Sequence, residues 1–253
     1  CYADGVKMPI EPGPLVASGF DAVGLGLNNI DILAVVEAFP SSNGKYPLQE
    51  LVELPGGQTA SALVACSRLG WRACYIGSFG NDARGMVARA SLTSDGVNVS
   101  ECRLVDAPQA LSLVLVDGNH RRTVLWHRSS ELDFGPEHVD ERAVTAGRIL
   151  LVDCYETAAA TQAADFAHRR GLPTVIDVDQ ARPGLTGLLE KIDIVIADAA
   201  FPEAFFGGAG VGSALARMVR EFRPAVACAT LGRQGSLALV DGQEIFTPAF
   251  DVA

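Results

Sequence analysis

The chain has 253 residues, a formal net charge of −10, and 49% hydrophobic residues. That length suits one large domain with a sizeable core, and the apolar content excludes a disordered chain. An acidic surface repels nucleic acid and anionic membrane, and no apolar run approaches the roughly 20 residues of a membrane span, so neither is an expected partner. Residues 1–15 hold no signal-peptide core, because Asp4, Lys7, Pro9, Glu11 and Pro12 interrupt them. The six cysteines form no C-x-x-C pair, and most lie in apolar stretches, as in a reduced cytoplasmic protein. The four histidines show no metal-ligand spacing.

Phe20–Leu27 reads as a strand that runs into Gly24-Leu-Gly26-Leu-Asn28-Asn29-Ile30-Asp31. A dinucleotide fingerprint needs a third glycine where Asn29 stands, and no helical pattern follows directly, which disfavours a nicotinamide-dependent oxidoreductase. Asn29 and Asp31 are two residues apart. In an extended segment they share a side and offer an amide and a carboxylate to hydroxyl groups, although the same run would also make a plain Asn-rich turn. Residues 32–55 alternate loosely around a Ser-Ser-Asn-Gly turn at 41–44.

Pro55-Gly56-Gly57-Gln58-Thr59-Ala60-Ser61 then opens a helix predicted over 58–69, with Ala60, Leu63, Cys66 and Leu69 on its apolar side and Gly70 as C-cap. Two glycines let backbone approach a ligand, and the helix start offers free N–H donors. No G-K-[ST] follows, so this is not a Walker A loop. Residues 110–127 predict a hairpin turning at Asp117-Gly118-Asn119-His120, which with 32–55 makes a small β layer projecting from a main sheet.

The second half repeats a βα rhythm. Apolar runs end in a polar residue at 148–153, 174–177, 192–198 and 225–230, and helices are predicted over 157–170, with Thr157 as N-cap, and over 212–223. Such repetition implies right-handed crossovers and a parallel sheet. Asp153, Asp177, Asp198 and Thr230 then converge on the carboxyl rim, where open α/β sheets bind ligands, unless each merely caps a helix. Thr230-Leu-Gly232-Arg233-Gln-Gly235-Ser236 permits close backbone approach to a phosphate or base, or is a simple hairpin turn.

In order and spacing these elements resemble the PfkB, or ribokinase-type, carbohydrate kinases from about Phe20 to Asp251. The matching motifs are Asn29-x-Asp31, Gly56-Gly57, Arg68-Leu69-Gly70 and Gly77-Ser-Phe-Gly80-Asn-Asp82-Ala-Arg-Gly85. They continue with Asp95-Gly96-Val97, Gly118-Asn-His-Arg-Arg122-Thr123, Asp177-Val-Asp179 and Thr230-Leu-Gly232-x-x-Gly235. Gly44-Lys45-Tyr46 also looks like the branch containing sulfofructose kinase.

The resemblance implies an α/β fold, a ribokinase-like three-layer α/β/α sandwich over residues 16–253, with a small β-sheet lid made of segments about 32–56 and 104–131. It implies ATP-dependent phosphorylation of a small sugar hydroxyl. Sugar contacts would come from Asn29, Asp31, Gly56, Gly57, Ser61 in place of the usual Asn, and Arg122 on the lid. Nucleotide contacts would come from Asp198, Thr230, Gly232 and Gly235. ATP and Mg²⁺ are the implied cofactors, with a monovalent cation as an optional third, and a homodimer through the lid is an open arrangement.

Two departures stand out. Asp198-Ala-Ala-Phe201 occupies the family's N-x-x-E element, so Phe201 cannot help organise metal. The D-T-x-G-x-G-D segment with the catalytic Asp has no match in these residues and is expected beyond residue 253, so the 253-residue chain is expected to turn over poorly. The alternative reading is a non-catalytic sugar- or nucleotide-binding protein on the same fold.

Overall fold

The computed structural model describes residues 9–13, 19–119, 121–208 and 210–251. Cys1, the stretch before Pro9, the expected domain start at Val16 and His120 of the hairpin turn lie outside them. The first half runs β1 (Ala22–Leu25), β2 (Asn29–Val35), β3 (Glu50–Gly56), α1 (Gln58–Arg68), β4 (Ala73–Ile76), β5 (Ser78–Gly80), α2 (Ala83–Ser94), β6 (Arg103–Val105), β7 (Leu111–Val116) and β8 (Arg122–His127). Next come α3 (Glu141–Thr145), β9 (Leu150–Asp153), α4 (Thr157–Arg169), β10 (Thr174–Val178), α5 (Leu185–Leu189) and β11 (Ile194–Asp198). The chain continues through α6 (Ala200–Phe206), α7 (Val211–Phe222), β12 (Val226–Thr230), β13 (Gly235–Val240) and β14 (Gln243–Pro248). No helix among the described residues is long and apolar enough to cross a membrane.

Eight strands form the main sheet in the order β14-β13-β12-β11-β10-β9-β1-β4. β4 to β12 pair parallel, and β13 and β14 return antiparallel at one edge. The return turns on Gly235, whose φ of 117° suits glycine and whose Cβ, if present, would lie 1.9 Å from the Thr247 carbonyl oxygen. Strand alternation sends side chains into two cores. Val23, Leu25, Cys74 and Ile76 join the core under the second-half helices, and Ala22, Ala73 and Tyr75 join the one under α1 and α2. The result is a three-layer α/β/α sandwich. α4 lies close to the sheet because Ala159, Ala160, Ala163, Ala164 and Ala167 on its inner face are all fully buried.

Two local expectations are corrected. Leu69 is 81% exposed, because α1 ends at Arg68 and the chain turns away through Gly70 at φ 90°. Thr157 does not cap α4. It is the first helical residue, and its hydroxyl donates to the Pro183 carbonyl at 2.7 Å.

A second sheet of four strands, β3-β2-β7-β8, pairs with none of the main strands. β2 and β7 run parallel, and the two outer pairings are antiparallel. β6 departs from the expected layer over 104–131, since it pairs with β5 in a separate two-stranded ribbon. The chain first crosses between the two large sheets at Gly26–Asn28, where Asp153 sits at the end of β9. Asp153 is fully buried and accepts from Leu27 N at 2.6 Å, Thr59 Oγ1 at 2.7 Å and Tyr155 N at 3.0 Å. A Cβ on Gly26 would lie 2.1 Å from Asp153 Oδ2, so glycine is what the carboxylate's position allows. Asp153 is therefore an internal brace and not an open rim group. Burial raises its pKa, and the hydrogen bonds it accepts pull the pKa back down.

Replacing Asp153 with Ala leaves the Leu27 amide and the Thr59 hydroxyl without their acceptor in a dry site. The loss of folding stability should be about 3 kcal/mol by urea denaturation, and a loss below about 1 kcal/mol would show that the brace carries little.

Candidate active site

The residues proposed for hydroxyl binding gather where β1 hands over to β2. Asn29 opens β2 and pairs in register with Gly56 at the end of β3. Its Nδ2 donates to Asp31 Oδ1 at 2.8 Å and to Ser112 Oγ at 2.6 Å, while its Oδ1 is buried with no hydrogen-bond partner among the described residues. A buried acceptor left unpaired is costly, and a ligand hydroxyl would relieve that cost. Gly56 is forced by the same cluster: its Cβ would lie 2.1 Å from Asp31 Oδ2 and 2.9 Å from Asn29 Oδ1. Gly57, at φ 107°, passes so close to the Leu27 carbonyl that a Cβ would approach it to 2.4 Å. α1 starts directly after it with no side-chain cap.

Arg122 stands apart from this cluster, whereas Ser61 shares a cleft with its Gly56. Ser61 is exposed on α1 and lines, with Gly56, a cleft of about 690 Å³ between α1, β3 and α2. Arg122 is exposed at the start of β8 and pairs with Val116, which is opposite Val35. The residue level with Asp31, across Ser112, is Trp126, four residues further along β8 and roughly 13 Å from Arg122. Gly44-Lys45-Tyr46 lies in the loop between β2 and β3. There the Tyr46 ring packs where a Gly44 side chain would be, and its hydroxyl meets Ser41 Oγ at 2.7 Å.

The other candidate region lies across the same rim. Asp198 and Thr230 are in register at the ends of β11 and β12, three and four strand steps from β1, or roughly 14 and 19 Å. Both are exposed. Asp198 Oδ1 accepts from Ala200 N at 2.8 Å, and Thr230 Oγ1 reaches the Ala197 carbonyl at 3.3 Å. Gly232 has φ 57° in a single 3₁₀ turn, with open space where its side chain would be, so backbone is accessible there. Phe201 is buried in α6 against Phe205, with ring centroids 5.2 Å apart, and belongs to the core. Among the described residues no group of three His, Cys, Asp or Glu side chains is placed to hold a metal ion.

Sequence reasoning missed several polar groups. Thr59 looked like one more residue of the glycine loop, but it is the hydroxyl that ties α1 to Asp153. Arg182, after β10, stacks on Tyr155 at 3.8 Å and faces Trp126 at 5.8 Å, joining the rim to the second sheet. Only a chain-distant pairing reveals it, since no local spacing links these residues.

Asp177 lies between the two regions, beside Asp153 in register on β9. Burial, and then the charges of Asp153, Asp179 and Asp198, push its pKa up to about 6. The folded state thus binds this proton more tightly than the unfolded chain. Its stabilising contribution is fully present below the ordinary carboxylate value and is lost as pH rises through about 6. Asp177→Asn should match the parent at pH 4 and exceed its stability at pH 7.5 by about 1 kcal/mol, the residue's partial contact with water limiting the gain. Melting curves at the two pH values check this, and equal shifts at both would contradict it.

The chain and its fold have clear relatives. The chain is 29% identical over 150 residues to an ATP-dependent ribose-1-phosphate kinase from Halopiger xanaduensis, covering 59% of this chain and 51% of that one. It is 30% identical over 237 residues to a fructokinase from Klebsiella pneumoniae, covering 85% of this chain and 74% of that one. It thus spans about half of the first relative and about three quarters of the second. The solved structure of adenosine kinase from Sinorhizobium meliloti superposes with a TM-score of 0.80 at 20% identity, over 93% of this chain and 81% of that one. The pfkB carbohydrate-kinase family pattern runs through residues 21–253, across both sheets and both candidate regions. With nearly all of its length inside that pattern, this chain belongs to the pfkB family of carbohydrate kinases.

Proposed function

We propose that the chain carries the sugar and nucleotide sites of an ATP-dependent sugar kinase, which passes the γ-phosphoryl group in line to a primary hydroxyl. The observation that carries this reading is the Asn29–Asp31–Gly56 cluster. Its carboxylate and its unpaired amide oxygen are acceptors suited to sugar hydroxyls, and a bare glycine opposite leaves them room. Gly57 and the uncapped start of α1 lie next to it. The four-stranded sheet, rooted at the same junction, acts as the lid, and Arg122 on β8 meets substrate as that lid closes.

Asp198, Thr230, Gly232 and Gly235 form the nucleotide end, where the exposed turn at Gly232 gives phosphates access to backbone N–H groups. The related ribose-1-phosphate kinase is named as ATP-dependent, which supports this assignment. Mg²⁺ commonly takes one or two carboxylates and completes its shell with water and phosphate oxygens, so a lone Asp198 fits it. When bound, the metal neutralises charge on the transferring phosphoryl group. We assign no general base among the described residues, so binding is the quantity that this site predicts. The exposed edge strand β8 is the surface we assign to a lid-to-lid homodimer. The five described cysteines, all free, support a cytoplasmic setting.

Asp31→Ala removes a charged acceptor and also frees the Asn29 amide. It should weaken binding of whichever of D-fructose or D-ribose the parent protein prefers by about 2–4 kcal/mol, leaving ADP affinity unchanged. Isothermal calorimetry decides: sugar affinity equal to that of the parent would sink the assignment.

A further inference from the structure

Behind the sugar cluster lies a polar network that no part of the proposed reaction uses. Tyr75 on β4 is 0% exposed, and Asn28 and Gln109 are 6% and 4% exposed. The Tyr75 hydroxyl donates to the Gly26 carbonyl at 2.6 Å and accepts from Asn28 Nδ2 at 2.6 Å. Asn28 Nδ2 also donates to the Ser78 carbonyl at 2.9 Å. Gln109 Nε2 donates to Asn28 Oδ1 at 2.5 Å and to the Asn28 carbonyl at 3.2 Å, and Gln109 Oε1 accepts from Gly80 N at 2.9 Å. Every polar side-chain atom of the three residues is paired. Burial holds the Tyr75 phenol well above its ordinary pKa, so it stays a donor.

For core packing alone, a phenylalanine in place of Tyr75 and aliphatic residues in place of the other two would serve, without the desolvation that three polar side chains incur. What the network does join is specific. Gly26 and Asn28 flank the chain's entry into β2, and Gln109 stands just before β7. β2 and β7 are the central pair of the four-stranded sheet. The network therefore binds together the roots of both strands. Asn28 and Asn29 are consecutive, and their side chains take separate partners, one in this network and the other in the sugar cluster.

We propose that Tyr75, Asn28 and Gln109 are positioning residues for the sugar site, fixing the root of the β2–β7 pair so that Asn29 and Asp31 hold their binding geometry before the ligand arrives. The inference rests on the sugar-site reading above. Preorganisation of this kind acts on ligand affinity, because a site displaced by a fraction of an ångström must be reordered on binding.

The test compares Tyr75→Phe and Gln109→Leu with the parent protein in calorimetric titrations of D-fructose, D-ribose and ADP, with amide exchange measured over residues 29–35. Tyr75→Phe leaves the Gly26 carbonyl unpaired, and Gln109→Leu releases Asn28 from the opposite side. Each variant should bind the preferred sugar about tenfold more weakly, bind ADP within about twofold of the parent, and exchange faster over 29–35. A variant with a lowered melting temperature but unchanged sugar affinity would mean that the network serves stability alone, which overturns the proposal. Equal weakening of sugar and ADP also overturns it, as general loosening. If either variant fails to fold, the other still decides. A parent protein that binds ADP but neither sugar contradicts the sugar-site reading first, and this inference falls with it.

Discussion

The structure depends on how one strand leaves a sheet. β1 is an inner strand of the main sheet, one in from its β4 edge, β2 is an inner strand of the other, and only Gly26, Leu27 and Asn28 lie between them. A backbone that changes sheets inside a dry core loses its ladder partners, and each N–H and C=O must find another. Asp153 accepts the Leu27 amide, Tyr75 caps the Gly26 carbonyl, Gln109 caps the Asn28 carbonyl, and the Ala60 amide reaches the Leu27 carbonyl at 3.3 Å. The crossing is thus paired from β9, β4, α1 and the approach to β7 at once. The buried carboxylate is tolerable because several donors converge on it.

The glycines near the crossing follow from that arrangement. Gly26 makes room for Asp153 and Thr59, Gly57 for the Leu27 carbonyl, and Gly56 for Asp31 and Asn29. They are consequences of side-chain and backbone groups packed from other elements, more than of local flexibility. The rim at Asn29, Asp31 and Gly56 is accordingly tight and internally bonded. The other candidate region differs: Asp198, Thr230 and Gly232 lie exposed, with open space where a Gly232 side chain would be. On the proposed reading, a tight hydroxyl-binding end across the rim from an open phosphate-binding end suits a site where one ligand is recognised by its hydroxyl pattern and the other largely through its phosphates.

Much of the architecture was legible in the amino-acid order. The apolar runs of the second half, 4–5 residues each once folded, are buried on one face and half-buried on the other, less completely than strands covered on both sides, and that burial still wrote the strand pattern. The same holds for α1, α4 and α7, whose periodicity places them within a residue or two of their observed bounds. Asn29 and Asp31 could be paired from their two-residue spacing, since the side-chain period of a strand is local geometry. Local rules failed where a partner came from far along the chain. Thr157 resembled a cap but its hydroxyl turns to Pro183, and β6 resembled a strand of the upper layer but pairs with β5.

By itself, then, the sequence determined the βα rhythm of the second half, the parallel sheet and the placing of Asp153, Asp177, Asp198 and Thr230 at strand ends, because each depends on patterns within about a dozen residues. Only the tertiary structure decided which of those polar ends stays open. Asp153 became a buried brace because Leu27 and Thr59, 126 and 94 residues away, close over it, while Asp198 stayed exposed on the rim. It also decided that Arg122 lies far along β8 from Asp31, and that Tyr75 and Gln109 meet at Asn28. The physical reason is the same in each case: a hydrogen bond in the core joins groups by their position in space, and spacing along the chain carries no record of it.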